Sequence, residues 1–418
     1  MLIFLLACDG EKTIKTGDSA VDSGIDTGDT DTGDTDTGDT AETGETDETD
    51  ETDETDETDT DDPDPPTDEE LYAELYDPSV LQRIDLTLDD RSMTALRADP
   101  LTYVLCDFTW GDVSVSDVAV RLKGGADSVD IDAKPSFKLR FDEWEEDRLF
   151  IGLQRMTLNN MLDDDAQGRE VLNAWAFNEG GQVAPKASFS EVWVNGEYYG
   201  LYANVETVDN TFIERRYVDG GGDLWEAGDG ADFTTAGVAL FELSRGDGDV
   251  GALDAVVQVA ASADFYQATG DVVDMSQFLG FTAWSIVTGN ERTYPWRTQD
   301  YYIYADTRDG RFDFVPWAAD RAFDDGMDWD VVNGVLGSRC LDDAECLDAL
   351  VTETSDALDF FETLDAEGFA EEVFDLTNAS MEADTRRGGG AASVRAARGR
   401  LASQMTWWPD QIRADVGI

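Results

Sequence analysis

Five basic side chains lie within twenty residues of a chain that carries 93 acidic residues and only 29 basic ones. They are Arg121, Lys123, Lys134, Lys138 and Arg140. Because a protein with a net charge of −64 repels anions at long range, this basic cluster is the best candidate for holding a phosphate-bearing ligand. Gly124 and Gly125 interrupt the cluster, and their backbone could approach a phosphate closely.

The composition excludes several kinds of chemistry. The chain contains no histidine, which rules out Ser-His-Asp and Cys-His catalysis and histidine-ligated zinc. Any reaction must therefore use carboxylates, lysine, arginine, hydroxyls or a bound metal. The strongly acidic composition argues against a nucleic-acid partner, because such binding depends on Lys and Arg neutralising phosphates.

Two predicted strands carry most of the basic cluster. Apolar residues alternate with other residues over 118–123 and again over 137–141, which is the period of a β-strand. Arg121 and Lys123 thus share one face, as do Lys138 and Arg140. The glycine pair opens the loop between these strands.

Further elements indicate an α+β fold. Asn195-Gly196 predicts a hairpin between strands 192–194 and 198–205, and Asp309-Gly310 predicts another between 301–304 and 312–315. Helical periodicity covers 169–179, 275–287 and 347–364.

The first residues resemble a bacterial lipoprotein signal. An apolar run ends in Leu5-Leu6-Ala7-Cys8, so we expect a signal peptide at 1–8 and lipidation of Cys8. The alternative is a chance apolar terminus with a buried cysteine. The signal predicts an exported protein of the periplasm or cell surface. Since no later segment has the ~18 apolar residues of a membrane span, attachment would depend on the lipid anchor alone.

Residues 9–67 form an acidic tract that consists largely of repeats of Thr, Asp, Gly and Glu. Such a tract cannot form a core and is predicted to be a disordered stalk for a domain at 68–418. The alternative, a calcium-binding repeat, lacks the glycine-spaced loop that such sites need.

Cys340 and Cys346 flank a short acidic loop. In an exported protein this spacing favours a local disulfide, which would leave Cys106 unpaired. The alternative is that all three are reduced and buried.

Five motifs in order resemble the bacterial CotH family over about 71–364. They are RLKGG (121–125), KPSFKLRF (134–141), VWVNGEYYGLYANVE (192–206), DYYIY (300–304) and FVPWAADRAF (314–323). The resemblance implies an atypical protein-kinase-like fold with a mixed-sheet N-terminal part and a more helical C-terminal part. It also implies phosphorylation of a protein on Ser or Thr with ATP and Mg²⁺ or Mn²⁺.

The resemblance implies roles in nucleotide binding for the basic cluster. Lys138 is the best candidate for the nucleotide-contacting lysine, with Lys134 as the alternative, and Glu206 is expected to orient it. The competing interpretations are a solvated strand face for Lys138 and a surface salt bridge for Glu206. The cofactor-binding candidates are Arg121, Lys123, Gly124, Gly125, Lys134, Lys138 and Glu206.

The resemblance also implies a metal site and a base. Asp320, after a predicted strand, is the metal candidate, and Asp300 is a second carboxylate for metal or catalysis. Glu291 is the only carboxylate within TGNERTYP that could accept a hydroxyl proton. Four features depart from the family pattern: Ala318 replaces an aspartate, TGNERTYP contains no aspartate, Asp300 replaces an asparagine, and Glu226 replaces the lysine of L-Y-K.

Three functions remain open. The first is an exported, lipid-anchored kinase that phosphorylates an extracytoplasmic protein, which retention of Lys138, Glu206 and Asp320 favours. The second is a degenerate pseudokinase that binds a surface partner or acts in adhesion, which Glu226 and the missing aspartates favour. The third is a structural coat or envelope component.

Overall fold

The computed structural model describes residues 65–124, 129–323 and 325–418. The predicted signal peptide with Cys8, the acidic stalk up to residue 64, and Gly125 lie outside these ranges. A capping box opens the described part, because the Thr67 hydroxyl accepts from the Glu70 backbone and the Glu70 carboxylate accepts from the Thr67 backbone.

Seven strands form a closed barrel in the order β1-β2-β3-β4-β5-β7-β6. All neighbouring pairs are antiparallel except β1 and β6, whose parallel pairing closes the barrel. The interior is filled by alternate apolar residues, including an aromatic group of Phe108, Phe141 and Phe150. The strands are β1 (Leu81–Thr87), β2 (Val104–Trp110), β3 (Val113–Leu122), β4 (Phe137–Arg140), β5 (Arg155–Asn159), β6 (Ala187–Val194) and β7 (Glu197–Glu206).

A second, four-stranded antiparallel sheet has the order β11-β10-β8-β9. Aromatic side chains of this sheet pack into a core separate from the barrel interior, where Tyr301 and Phe314 contact each other and Tyr294 from the segment before β10. The strands are β8 (Leu224–Ala227), β9 (Phe241–Arg245), β10 (Tyr301–Ala305) and β11 (Phe312–Pro316).

Helices cover this second core. The most buried helix is α7, which is apolar on nearly all sides and packs against β11 and α9. Two short 3₁₀ turns lie at Gly237–Leu240 and Val250–Leu253. The α-helices are α1 (Asp68–Leu75), α2 (Asp90–Ala98), α3 (Arg169–Glu179), α4 (Asn210–Arg216), α5 (Asp254–Ala260), α6 (Phe265–Thr269), α7 (Met275–Val287), α8 (Val335–Asp342), α9 (Ala344–Phe361), α10 (Ala366–Ala383) and α11 (Ala391–Val416).

The predicted α+β class and both predicted hairpins are confirmed. The helices predicted at 169–179 and 275–287 match α3 and α7. The helix predicted at 347–364 instead spans 344–361, because Asp343 accepts from the Glu345 and Cys346 amides and so starts it earlier.

The cysteines of the described part adopt the predicted arrangement. A disulfide joins Cys340 at the end of α8 to Cys346 at the start of α9, whereas Cys106 is a buried free thiol. Among the described residues, no helix combines the length and apolar character needed to cross a bilayer.

Candidate active site

A polar cavity of about 610 Å³, which we call the main cavity, opens where the ends of β3 and β5 meet the segments around β10 and β11. Four predicted site residues line it: Lys123, Gly124, Asp300 and Asp320. They come from three regions of the chain, namely the end of β3, the residue before β10 and the loop after β11. The fold therefore gathers predicted phosphate-binding and metal-binding groups in one place.

Lys123 is held by a hydrogen-bonded relay on the barrel side. Its Nζ donates to Asn159 Oδ1 at 2.7 Å, and Asn159 Nδ2 donates to both carboxylate oxygens of Glu170 at 2.9 Å. Trp317 contacts the same ammonium group, with its ring centroid 5.3 Å away. These contacts fix the position of the Lys123 charge at the cavity wall.

Glu170 lies in the first turn of α3 and is almost fully buried. Burial raises its pKa to about 7, although the Lys123 charge and the Asn159 hydrogen bond oppose the change. The nearby Asp320 and Asp164 carboxylates add to the increase. Glu170 is thus poised to change charge near neutral pH.

Gly124 continues the cavity wall beyond Lys123. Its φ of 91° lies in the left-handed region, which favours glycine. The Lys123 amide donates to Ser136 O at 2.8 Å, which holds the two ends of the intervening loop together. This backbone is therefore presented to the cavity without a side chain.

Asp300 and Asp320 lie on either side of Arg292. Arg292 Nη2 is 3.3 Å from Asp300 Oδ2, and Arg292 Nε is 3.8 Å from Asp320 Oδ1. Within the described residues, Asp320 Oδ1 and Arg292 Nε are buried without a hydrogen-bond partner. Asp300 and Ala318 also have positive φ angles of 56° and 54°, which are uncommon for residues other than glycine. The backbone is therefore strained where the two carboxylates enter the cavity.

These carboxylates fit a magnesium ion only in part. Mg²⁺ is commonly held by one or two carboxylates together with substrate phosphates, and Asp320 Oδ1 has a free acceptor position. No group of three or more His, Cys, Asp or Glu residues within the described ranges could hold a metal unaided. Asp300 and Asp320 would hold the ion once nucleotide phosphates complete its ligands and Arg292 moves from between them.

Glu206 does not contact the nucleotide-lysine candidates. It is fully buried at the end of β7, where it accepts from Arg216 Nη2 at 2.5 Å, Tyr72 Oη at 2.8 Å and the Lys186 amide at 3.1 Å. The predicted pairing with Lys138 is absent from the described contacts. Neither is Glu206 a surface salt bridge, because this buried cluster ties α1 and α4 to the barrel.

Lys134 is likewise removed from the main cavity. It is buried, its Nζ lies 2.6 Å from Asp384 Oδ2, and it donates to Leu201 O at 2.8 Å. The alternative role as a nucleotide lysine therefore has no support in the geometry. Arg140, another member of the basic cluster, pairs with Asp142 and Glu143 at 2.7 and 2.8 Å.

Lys138 and Arg121 line a different, smaller cavity of about 80 Å³ together with Arg155 and Glu226. Arg121 and Lys138 are register partners on the antiparallel strands β3 and β4. Burial, with a smaller effect of the Lys123, Arg121 and Arg155 charges, lowers the pKa of Lys138 to about 8, although the Glu226 carboxylate opposes the change. The predicted phosphate-binding cluster is therefore divided between two cavities.

Glu291, the predicted base, does not line the main cavity and pairs with Arg297 at 3.2 Å. Sequence reasoning missed three residues that do line it, Asn159, Glu170 and Arg292. Arg292 lay within the segment searched for a base, and Glu170 lay in a predicted helix. The partners of these residues lie far away in the sequence, and a local sequence pattern does not show such contacts.

A larger cavity of about 760 Å³ adjoins the main cavity, and the two share Asp163 and Asp320. Its walls are formed by the start of α3, the loop after β11 and one face of α11. A second molecule could therefore reach Asp320 through a cavity that Lys123 does not line.

Comparison with known proteins shows which family the chain belongs to. The chain is 26% identical over 201 residues to inner spore coat protein H of Bacillus subtilis (strain 168), which covers 45% of this chain and 54% of that protein. It thus spans about half the length of this relative. A structural match to the Helicobacter pylori proinflammatory kinase CtkA covers 72% of this chain and 94% of that one, with 7% identity and a TM-score of 0.24. The CotH kinase protein family model matches residues 120–399. The chain therefore belongs to the CotH kinase protein family.

Proposed function

We propose that the main cavity binds ATP with Mg²⁺ or Mn²⁺ and transfers a phosphoryl group to Ser or Thr of a protein. The observation that carries this proposal is the convergence of Lys123, Gly124, Asp300 and Asp320 from three regions of the chain. Phosphoryl transfer depends mainly on positioning and on charge neutralisation, and these residues supply both.

Lys123, rather than Lys138 or Lys134, is the lysine best placed for the nucleotide phosphates. The Asn159–Glu170 relay holds it as an orienting carboxylate holds the nucleotide lysine in other kinases. Gly124 would let the main chain approach the same phosphates. Asp300 and Asp320 would hold the divalent cation, which, when bound, would neutralise charge on the transferring group.

The acceptor protein would enter through the adjoining cavity that shares Asp320 with the main one. Glu291 is not positioned to take the hydroxyl proton while it pairs with Arg297. Asp300 remains as a predicted carboxylate at the cavity, but a bound metal would compete for it.

We further propose that the protein is exported and anchored by lipid at Cys8, so that its substrate is extracytoplasmic. The apolar run before Cys8 supports this localisation. A second function is a pseudokinase that binds a surface partner. The position of Arg292 between the two carboxylates supports this second function, because a guanidinium there opposes metal binding.

Thermal unfolding of the full chain with and without ATP and Mg²⁺ or Mn²⁺ tests the proposal, because a ligand of the folded state raises the midpoint. We expect a metal-dependent increase that Asp320→Ala removes. The matched control is Asp271→Ala, since Asp271 is exposed and lines none of the cavities described above. Transfer of labelled γ-phosphate to an added protein then separates a kinase from a nucleotide-binding pseudokinase. No increase at millimolar nucleotide would refute nucleotide binding at this site.

A further inference from the structure

The small cavity on the outer face of β3, β4 and β5 has an unusual charge for this acidic protein. Arg121, Lys138 and Arg155 line it, and Glu226 on β8 is the only acidic residue among its lining residues. Strand register fixes this arrangement, because Lys138 lies between Arg121 on β3 and Thr157 on β5. Three cations and one carboxylate give the cavity a net positive charge.

Two of these three cations have no hydrogen-bond or ion-pair partner in the described part of the chain. In the described ranges, neither the Lys138 ammonium nor the Arg155 guanidinium makes a hydrogen bond or ion pair, and Arg155 Nε is buried. Arg121 donates only to Leu122 O at 3.1 Å and lies over the ring of Tyr103. All three residues are half-buried, so their charges are only partly solvated, and an anion in this cavity would stabilise the folded chain.

The size and the remaining walls indicate what kind of anion fits. A volume of about 80 Å³ suits one compact ion or a single phosphate group and is too small to enclose a whole nucleotide. Thr157, Thr207 and Ser244 add hydroxyls to the wall, and the first two already bond each other at 2.9 Å. Guanidinium and ammonium donors beside hydroxyls match the acceptor oxygens of a tetrahedral oxyanion.

We propose that the small cavity is a binding site for a tetrahedral oxyanion of the phosphate or sulfate type. The oxyanion is either a free ion or a phosphate group of a larger ligand. This site shares no lining residue with the main cavity, and binding of a free ion there does not depend on the phosphoryl-transfer function. Glu226 limits its affinity, because that carboxylate faces the same space as the three cations.

The test is isothermal titration of the full chain with sodium phosphate and with sodium sulfate at pH 7 and constant ionic strength. Arg155→Gln should weaken binding by about tenfold or more, because a hydrogen bond to a charged group is lost. Glu226→Gln should strengthen binding, since it removes the one opposing charge while keeping the shape. The matched control is Arg91→Gln on the exposed surface of α2, which should leave binding unchanged.

Two further arms identify the source of the anion. Asp320→Ala should not alter phosphate or sulfate binding, which separates this site from the main cavity. If neither free ion binds but Arg155→Gln weakens and Glu226→Gln strengthens ATP binding, the oxyanion is a phosphate group of the nucleotide. The proposal is overturned if neither free ion binds and both variants bind ATP as the unaltered chain does. It is equally overturned if the two variants shift affinity in the same direction, because the cavity charge then does not control binding.

Discussion

Substitution of Lys134 tests whether this buried lysine stabilises the fold or binds the nucleotide. Its ammonium lies 2.6 Å from Asp384, a residue 250 positions later, and both side chains are at most 1% exposed. Asp384 also accepts from the Arg386 amide at 2.8 Å, and Lys134 donates to Leu201 O. The pair therefore links the loop before β4 to the end of α10 from inside the protein.

Lys134→Met should destabilise the fold severely, because it leaves Asp384 charged and buried without its cation. Removing one partner of a buried ion pair costs about 3–5 kcal/mol. With an unfolding entropy of about 2.1 cal/mol/K per residue over roughly 350 residues, that loss lowers the midpoint by about 4–7 °C. The side chain is replaced by one of similar length, so lost volume contributes little.

The assay compares Lys134→Met with Lys138→Met by thermal and urea unfolding. The second variant has the same substitution at a cation without a described ion-pair partner, so it should unfold at or above the normal midpoint. A double variant, Lys134→Met with Asp384→Leu, should recover part of the loss, since both charges are then absent. If Lys134→Met costs under about 1 kcal/mol and instead abolishes nucleotide binding, the structural role assigned to Lys134 is wrong.

Three other changes test the site and its surroundings. Arg292→Ala should strengthen Mg²⁺ binding by about fivefold or more, because unit charges 4 Å apart interact by about 1 kcal/mol even in bulk water. If the variant instead shows weaker stabilisation by Mg²⁺, the guanidinium assists the site. Because the pKa of Glu170 is raised in the folded state, the folded chain keeps the Glu170 proton to a higher pH than the unfolded chain does. The contribution of Glu170 to the unfolding free energy is therefore lost as pH rises from about 4.5 to about 7. Glu170→Gln should flatten that part of the stability–pH profile, and an unchanged slope between these values would contradict the assignment. Cys340→Ser should lower the unfolding free energy by about 2 kcal/mol, because it removes a disulfide that closes a short loop. Reduction of the unaltered chain should cause a similar loss, whereas reduction should leave the stability of the variant unchanged.

Local sequence patterns predicted most of the elements but only part of the site. The Asn195-Gly196 turn and the 3.6-residue periodicity of 275–287 depend on neighbours in sequence, so they could be read directly. Strand alternation also predicted correctly that Arg121, Lys138 and Arg140 alternate with the buried apolar residues of β3 and β4. Which cavity Lys123 or Lys138 would line depended on where the second sheet packs, and no local pattern encodes that.

The two site assignments that the observed contacts do not support share a physical cause. The sequence predicts that Glu206 orients a lysine. In the structure Glu206 instead pairs with Arg216, which lies ten residues later in α4. Lys134 is a nucleotide candidate by sequence, but in the structure it pairs with Asp384 in the C-terminal region. In both cases an opposite charge brought close by tertiary packing satisfies the group, and a single sequence does not show such partners.

The parallel pairing of β1 with β6 limits how far the N-terminal side of the chain can be shortened without opening the barrel. The family match begins at residue 120, whereas the barrel is closed by a strand at Leu81–Thr87. Shortening the chain to the matched region would remove β1, β2 and most of β3, exposing the hydrogen-bonding edges of β4 and β6 to other chains. It would also cut α11 within its length. Recombinant fragments for solution work should therefore begin before α1 and continue through Ile418.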